Sequence, residues 1–336
     1  MLDAGIRARI GKLSMDISTR PTYVEASPSA SLEAAEAFAA DCCLLTREIT
    51  SGQQPLVEPV LTPRFVPTCS DGLLSGLGVL SSRKELHVQS HLAEAHDQVE
   101  WVKETRGKDD IDVFDNAGLL TSRTLQAHCT YLTPPDLVRV AQRGTSVAHC
   151  PLSNIYFSAK PFPLREALRT GVKIGLGTDI AGGYSADIMS AMRNAVAVSR
   201  MREGERVGTN SDSSDAVESL AITWVESLYL ATRGGAIALG GKWKELGVFR
   251  VGIPFDAQQS KQVTPSWLCL GVGNTDDVQF LLNSMPRRWK RKWDRRARFL
   301  RPRLWERRIR NHHRYGREVV VHRGHEEQEE SLGSRC

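Results

Sequence analysis

From residue 57 to residue 183 the sequence repeats one unit: a short apolar run bearing a histidine, arginine or aspartate at its far end, then an amphipathic stretch. VEPVLTPRF (57–65) carries Arg64, ELHVQSH (85–91) carries His91, and TLQAHCTYL (124–132) carries His128. TSVAHCPLSN (145–154) carries His149, and VKIGLGTDIAGG (172–183) carries Asp179. Short apolar runs bounded by turn residues read as strands, and the segments between them, such as LAEAHDQVEWVKETR and PPDLVRVAQRG, read as helices. Upstream, residues 5–16 read as a further buried strand, and the chain over 30–49 as a helix capped by Ser31.

Strand and helix alternating at this pace specify a parallel α/β fold. The five polar residues are 27, 37, 21 and 30 positions apart, about one βα unit each. In a (β/α)8 barrel the active site forms where strand carboxyl ends converge, which accounts for both the spacing and the placement. A dinucleotide-binding sheet needs G-x-G-x-x-G after its first strand, and neither GLGTD nor AGGY supplies it. The expectation is therefore an incomplete TIM-type barrel of about six of the eight βα units, over residues 1–257. GVFRVGIPFDAQ, near its end, reads as β-like.

Charge divides the chain in the same place. Residues 286–325 hold 16 Lys/Arg against 3 Asp/Glu, leaving 28 basic against 36 acidic residues elsewhere. Four of the seven tryptophans fall between 267 and 305 among the arginines. Residues 258–336 are thus expected to form a basic, poorly ordered tail. Such a tail could neutralise nucleic-acid phosphates and stack bases, but its lack of periodicity favours a stretch with no evolved fold, and a nucleic-acid partner is not expected. No run approaches the ~18 apolar residues of a membrane span, and MLDAGIRARIGKLSMDIS lacks the apolar core of a signal peptide. Seven cysteines without a C-x-x-C pair point to reduced thiols and a cytoplasmic protein.

The stretch LHVQSHLAEAH (86–96) holds three histidines and a glutamate. Strand parity places His87, Gln89 and His91 on one face, with His91 nearest the barrel mouth. His91 is the candidate ligand for zinc or iron, His87 is expected to pack inside the barrel, and His96 to be a solvated helix residue. Glu94, in the turn above, is placed to shuttle a proton.

TPRF (62–65), VQSHLAE (88–94), QAHCTYL (126–132), VAHCPLSN (147–154) and IGLGTDIAGGYS (174–185), in this order, resemble the amidohydrolase superfamily. GTDIAGGYS and TPRF resemble its guanine deaminase branch. The resemblance covers roughly residues 5–257. It implies one zinc ion held by an H-x-H pair on the first strand, His91 on the fifth and Asp179 on the eighth. It implies Glu94 as proton shuttle, His128 as stabiliser of developing charge, Asp179 as assistant to the attacking water, and a mainly structural His149. Arg64 and Phe65 would contact the purine substrate, and the full-length enzyme would be a homodimer. The reaction implied is hydrolysis of guanine to xanthine and ammonia. HCP at 149–151 is only a superficial match to the H-x-E…P-C-x-x-C deaminases.

The nine histidines, at 87, 91, 96, 128, 149, 312, 313, 322 and 325, include no H-x-H. The chain is accordingly expected to start at the family's third strand, to expose two barrel edges, and to be inactive as it stands. His312 and His313 are not expected to substitute. Two other readings are a related amidohydrolase acting on another aminated heterocycle, and a non-enzymatic protein that binds nucleic acid through its tail.

Overall fold

The computed structural model describes residues 5–20, 23–50, 55–209, 218–254 and 256, all within one compact unit. The expected basic tail, with His312 and His313, lies outside the described residues.

Seven strands form one parallel sheet. They are β1 (Ala8–Ile10), β2 (Leu13–Ser14), β3 (Val57–Pro63), β4 (His87–Leu92), β5 (Thr124–His128), β6 (Ser146–His149) and β7 (Lys173–Leu176). β1 and β2 pair with the two ends of β3, at Ala8↔Val57 and Leu13↔Thr62, so the expected first strand is one strand interrupted at Gly11 and Lys12. The order is then β3-β4-β5-β6-β7, which gives six strand positions and a half-barrel. This is the incomplete α/β barrel that the sequence predicts.

Helices cover the outer face: α1 (Pro28–Thr50), α2 (Asp71–Lys84), α3 (His96–Arg106), α4 (Asp110–Asn116) and α5 (Pro134–Arg143). After β6 come α6 (Pro151–Tyr156) and α7 (Leu164–Arg169), and after β7 come α8 (Ile188–Thr209), α9 (Trp224–Tyr229) and α10 (Gly235–Leu239). The core lies between the two layers. Leu61, Val88, Leu92, Val147 and Ile174 of the strands meet Leu73, Leu74 and Leu77 of α2, Val102 of α3, Phe114 of α4 and Val140 of α5. On α2 the buried leucines recur at helical spacing, and the helix is fixed at its start by Ser70, whose Oγ accepts from Leu73 N at 3.1 Å. On α5 the Asp136 carboxylate accepts from Thr133 N at 2.9 Å, closing the first turn behind two prolines.

At the amino-terminal ends of the strands a second contact links the two ends of the strand order. Arg9 of β1 pairs with Glu58 of β3 at 3.2 Å, and its guanidinium lies over the buried Trp243 ring at 4.8 Å. Lys242 also reaches Glu58, at 2.8 Å, and Arg9 donates to the Leu239 carbonyl. The chain that follows β7 therefore returns to β1 without a strand, and no β1–β7 pairing occurs among the described residues.

Four sequence expectations need correction. Ser31 is buried inside α1, and Ser27 caps that helix instead, accepting from Ala30 N at 3.1 Å. The strand expected over TSVAHCPLSN stops at His149, because Pro151 cannot donate to a ladder but suits the first turn of α6. β7 likewise stops at Leu176, leaving GTDIAGG as loop. GVFRVGIPFDAQ forms turns, with no strand among its described residues, and Phe249 and Val251 are exposed. Ile253 N donates to the Arg250 carbonyl at 3.2 Å, closing a turn within the run. Among the described residues no helix is long and apolar enough to cross a membrane.

α2 and α4 approach at Gly78, where a Cβ would run into the Ala117 carbonyl oxygen, a backbone atom that cannot step aside. Gly78→Ala is expected to cost about 1–3 kcal/mol, read as a lower denaturant midpoint at unchanged slope. An unchanged midpoint would show that the two helices are not packed this closely.

Candidate functional site

The carboxyl ends of β3, β4 and β5 and the loop after β7 bring Arg64, His91, Glu94, His128 and Asp179 to one rim. The Arg64 carbonyl accepts two hydrogen bonds from His91, N at 3.2 Å and Nδ1 at 2.6 Å, and the Ser90 hydroxyl donates to the neighbouring Pro63 carbonyl at 2.7 Å. A carbonyl can only accept, so the His91 proton sits on Nδ1, and the neutral ring keeps its lone pair on Nε2. Burial lowers the His91 pKa, opposed mainly by the Arg64 carbonyl, so the ring is neutral near pH 7.

His128 is 1% exposed and donates from Nδ1 to Asn154 Oδ1 at 3.0 Å. Its Nε2 lies 3.5 Å from Glu94 Oε1 and 4.0 Å from Asp179 Oδ2, and it is buried without a hydrogen-bond partner. The His91 and His128 rings stack, with centroids 5.4 Å apart and planes 17° from parallel. One donor atom each from His91, His128 and Asp179 lie within 4.8 Å of one another. Two imidazole nitrogens, one of them otherwise unpartnered, and a carboxylate oxygen at that separation form a donor set for a cation.

The backbone at the rim is bent to achieve this. Ala93, His128, Cys129 and Asp179 all have positive φ, between 45° and 68°, a region that non-glycine residues avoid. The turn carrying Glu94 is held from β5: the buried Thr130 hydroxyl donates to the Ala93 carbonyl at 3.0 Å and also to the Glu94 carbonyl. Gly182 leaves the Asp179 carboxylate room, since a Cβ there would force that side chain to shift.

The remaining candidates fall as follows. The Arg64 side chain is exposed with its guanidinium 5.1 Å from the Phe65 ring centroid. His87 lies at the opposite end of β4, with Nδ1 3.2 Å from the Arg123 carbonyl. His96 is exposed and pairs with Glu100 at 3.2 Å. His149 is 2% exposed, packs on Phe162, and lies 3.5 Å from Asn154 Nδ2 through its Nδ1. Cys150 is buried, and burial pushes its thiol pKa up, as do the Asp179 and Glu94 charges, so it stays protonated rather than becoming a thiolate ligand. All five cysteines among the described residues are free. Sequence reasoning did not find Asn154, Thr130 or the Arg64 carbonyl. Only Asn154 left a trace, as a polar residue in a segment otherwise read as strand.

A match to the amidohydrolase family runs over residues 2–276. The chain belongs to the amidohydrolase family. Guanine deaminases of Homo sapiens and Mus musculus are 39% and 38% identical to this amidohydrolase over 256 residues, which is 75% of this chain and 52% of each relative. That of Dictyostelium discoideum is 35% identical over 76% of this chain and 53% of its own length. The chain thus spans about half the length of these relatives. Among solved structures, guanine deaminase from C. acetobutylicum with guanine bound superposes with a TM-score of 0.65 at 29% identity, over 76% of this chain and 57% of that one. The E. coli enzyme gives 0.61 at 25%, over 73% and 52%.

Buried ionisable groups set how this amidohydrolase responds to acid. Burial brings His149 from 6.5 down to about 3. Burial, then Arg9, brings His87 to about 4. A histidine with a depressed folded pKa binds its proton more readily when unfolded, so its contribution is present above 6.5 and lost as pH falls below that value. Asp110 acts the other way. Burial, opposed by Gln98, raises its pKa from 3.8 to about 6, so the folded state gains stability as pH falls through that window. Two large shifts outweigh one smaller one. In metal-free buffer Tm is therefore expected to fall between pH 7 and pH 4.5, and to fall less steeply in His149→Leu. A flat or rising Tm would contradict this balance.

Proposed function

We propose that the chain carries part of a guanine deaminase site, built for hydrolytic conversion of guanine to xanthine and ammonia. What supports this most is the meeting of His91, His128 and Asp179 donor atoms within 4.8 Å, with the Glu94 carboxylate at their edge. Zinc fits that set: the donor types are those zinc takes, three protein ligands suit a catalytic site, and the buried His128 Nε2 has no other partner. We assign His91 and Asp179 as zinc donors, with His128 within reach of the same ion. Zinc, when bound, supplies Lewis-acid activation of water near neutral pH.

The chain's own side chains do the rest. The attacking water adds to the amino-bearing C2 of the purine, and Asp179 takes up a proton from it. Glu94 moves protons to the ring nitrogen and to the departing amine, so that the C2–N bond breaks with loss of ammonia. His128 would stabilise the charge that develops on the attacking oxygen by helping to hold the cation through its Nε2 lone pair. The flat donor fork of Arg64 suits the guanine carbonyl, and Phe65 supplies the neighbouring contact. The same reading takes residues 1–257 as the barrel portion, a homodimer as the assembled enzyme and the cytoplasm as its location.

The chain contains no H-x-H pair, so turnover by this polypeptide alone is expected to be absent. Joining it to a segment that bears the pair is expected to give zinc-dependent ammonia release from guanine. In the joined protein Glu94→Gln should lower kcat by roughly 10²–10⁴-fold, and Arg64→Ala should impair guanine more than other aminated heterocycles. A joined protein that binds zinc yet leaves guanine intact would contradict the assignment.

A further inference from the structure

We propose that Asn154, oriented by His149, is a positioning residue that fixes the His128 tautomer and turns its Nε2 lone pair toward the rim. This rests on the reading of His128 as part of the site. Asn154 is fully buried on α6, one turn after the last residue of β6. Its backbone is set by donation to the Cys150 carbonyl at 2.9 Å, so its amide has little freedom to leave the space between the two rings. Oδ1 lies 3.0 Å from His128 Nδ1, and Nδ2 lies 3.5 Å from His149 Nδ1.

The two contacts constrain one another. An amide oxygen can only accept and an amide NH2 can only donate. With Oδ1 on His128, that ring must carry its proton on Nδ1. With Nδ2 on His149, that ring must offer a lone pair on Nδ1. His149 can offer one only while neutral, and its burial keeps it so. If the amide were reversed, His128 would have to accept at Nδ1 and carry its proton on Nε2, facing Glu94 and Asp179. That proton would occupy the place of a cation. His149 and Asn154, which stand behind His128, thus decide whether the rim presents a lone pair or a hydrogen. The PLSN segment acquires a role that neither strand nor metal chemistry gives it.

The test is a two-bond ¹H–¹⁵N spectrum of the full ¹⁵N-histidine-labelled chain at pH 8 without metal, with His128 identified by the signal lost in His128→Gln. The expected result is a proton on Nδ1 and none on Nε2. Asn154→Asp, which keeps the acceptor, should preserve that pattern, and Asn154→Leu should lower the Nδ1–H population to half or less. A proton on Nε2 in the wild type, or an unchanged pattern in Asn154→Leu, overturns the proposal. Where Asn154→Leu fails to fold, the wild type and Asn154→Asp decide it: Nδ1–H in both supports it, and Nε2–H in either overturns it. The spectrum needs no substrate or zinc, so its outcome is separate from that of the ammonia assay.

Discussion

The Arg64 carbonyl is the point on which the rim depends. It accepts from both the backbone and the ring of His91, so a main-chain group at the end of β3 fixes both the position and the tautomer of a side chain at the end of β4. The parallel register makes this possible, because it stacks neighbouring strand ends at one edge of the sheet. His128 repeats the device with a side-chain acceptor in place of a carbonyl. In both cases the ring nitrogen away from the rim is occupied, and the one facing it is left free. The site is thus built from hydrogen bonds behind the functional atoms.

Electrostatics completes the arrangement. Burial disfavours charged imidazoles, most strongly at His149, while Glu94 and Asp179 bring carboxylate oxygens close to His128 Nε2. An imidazole lone pair facing carboxylate oxygens is offset by a cation lying between them. The left-handed backbone at Ala93, His128, Cys129 and Asp179 is held against its own preference by Thr130 and the sheet, and Gly182 leaves the carboxylate its room. A rim that is strained, rich in acceptors and short of donors is organised for a positive ion.

Much of this was legible in the sequence, for identifiable reasons. Strand parity puts His91 and His87 on one face, and position along the strand separates them: the structure has them at opposite ends of β4. Spacing by βα units put the polar residues at or just beyond strand ends, with Asp179 three residues past the end of β7. Local propensity gave less where tertiary partners decide the outcome. PLSN was read as the end of a strand, but Pro151 opens a helix, and that is what carries Asn154 behind His128. GVFRVGIP has strand-like composition but folds into turns, with the Arg250 carbonyl accepting from Ile253 N. The Arg64 carbonyl could not be foreseen at all, because a backbone acceptor has no residue-type signature; TPRF drew attention only to its side chains.

Zinc titration of the full purified chain tests the central claim most directly, namely that strand-end geometry alone gathers His91, His128 and Asp179 into a cation site. The account predicts one saturable zinc ion per chain, weakened at least tenfold by His91→Ala or by Asp179→Ala. Absence of saturable binding, or binding indifferent to both substitutions, would contradict it.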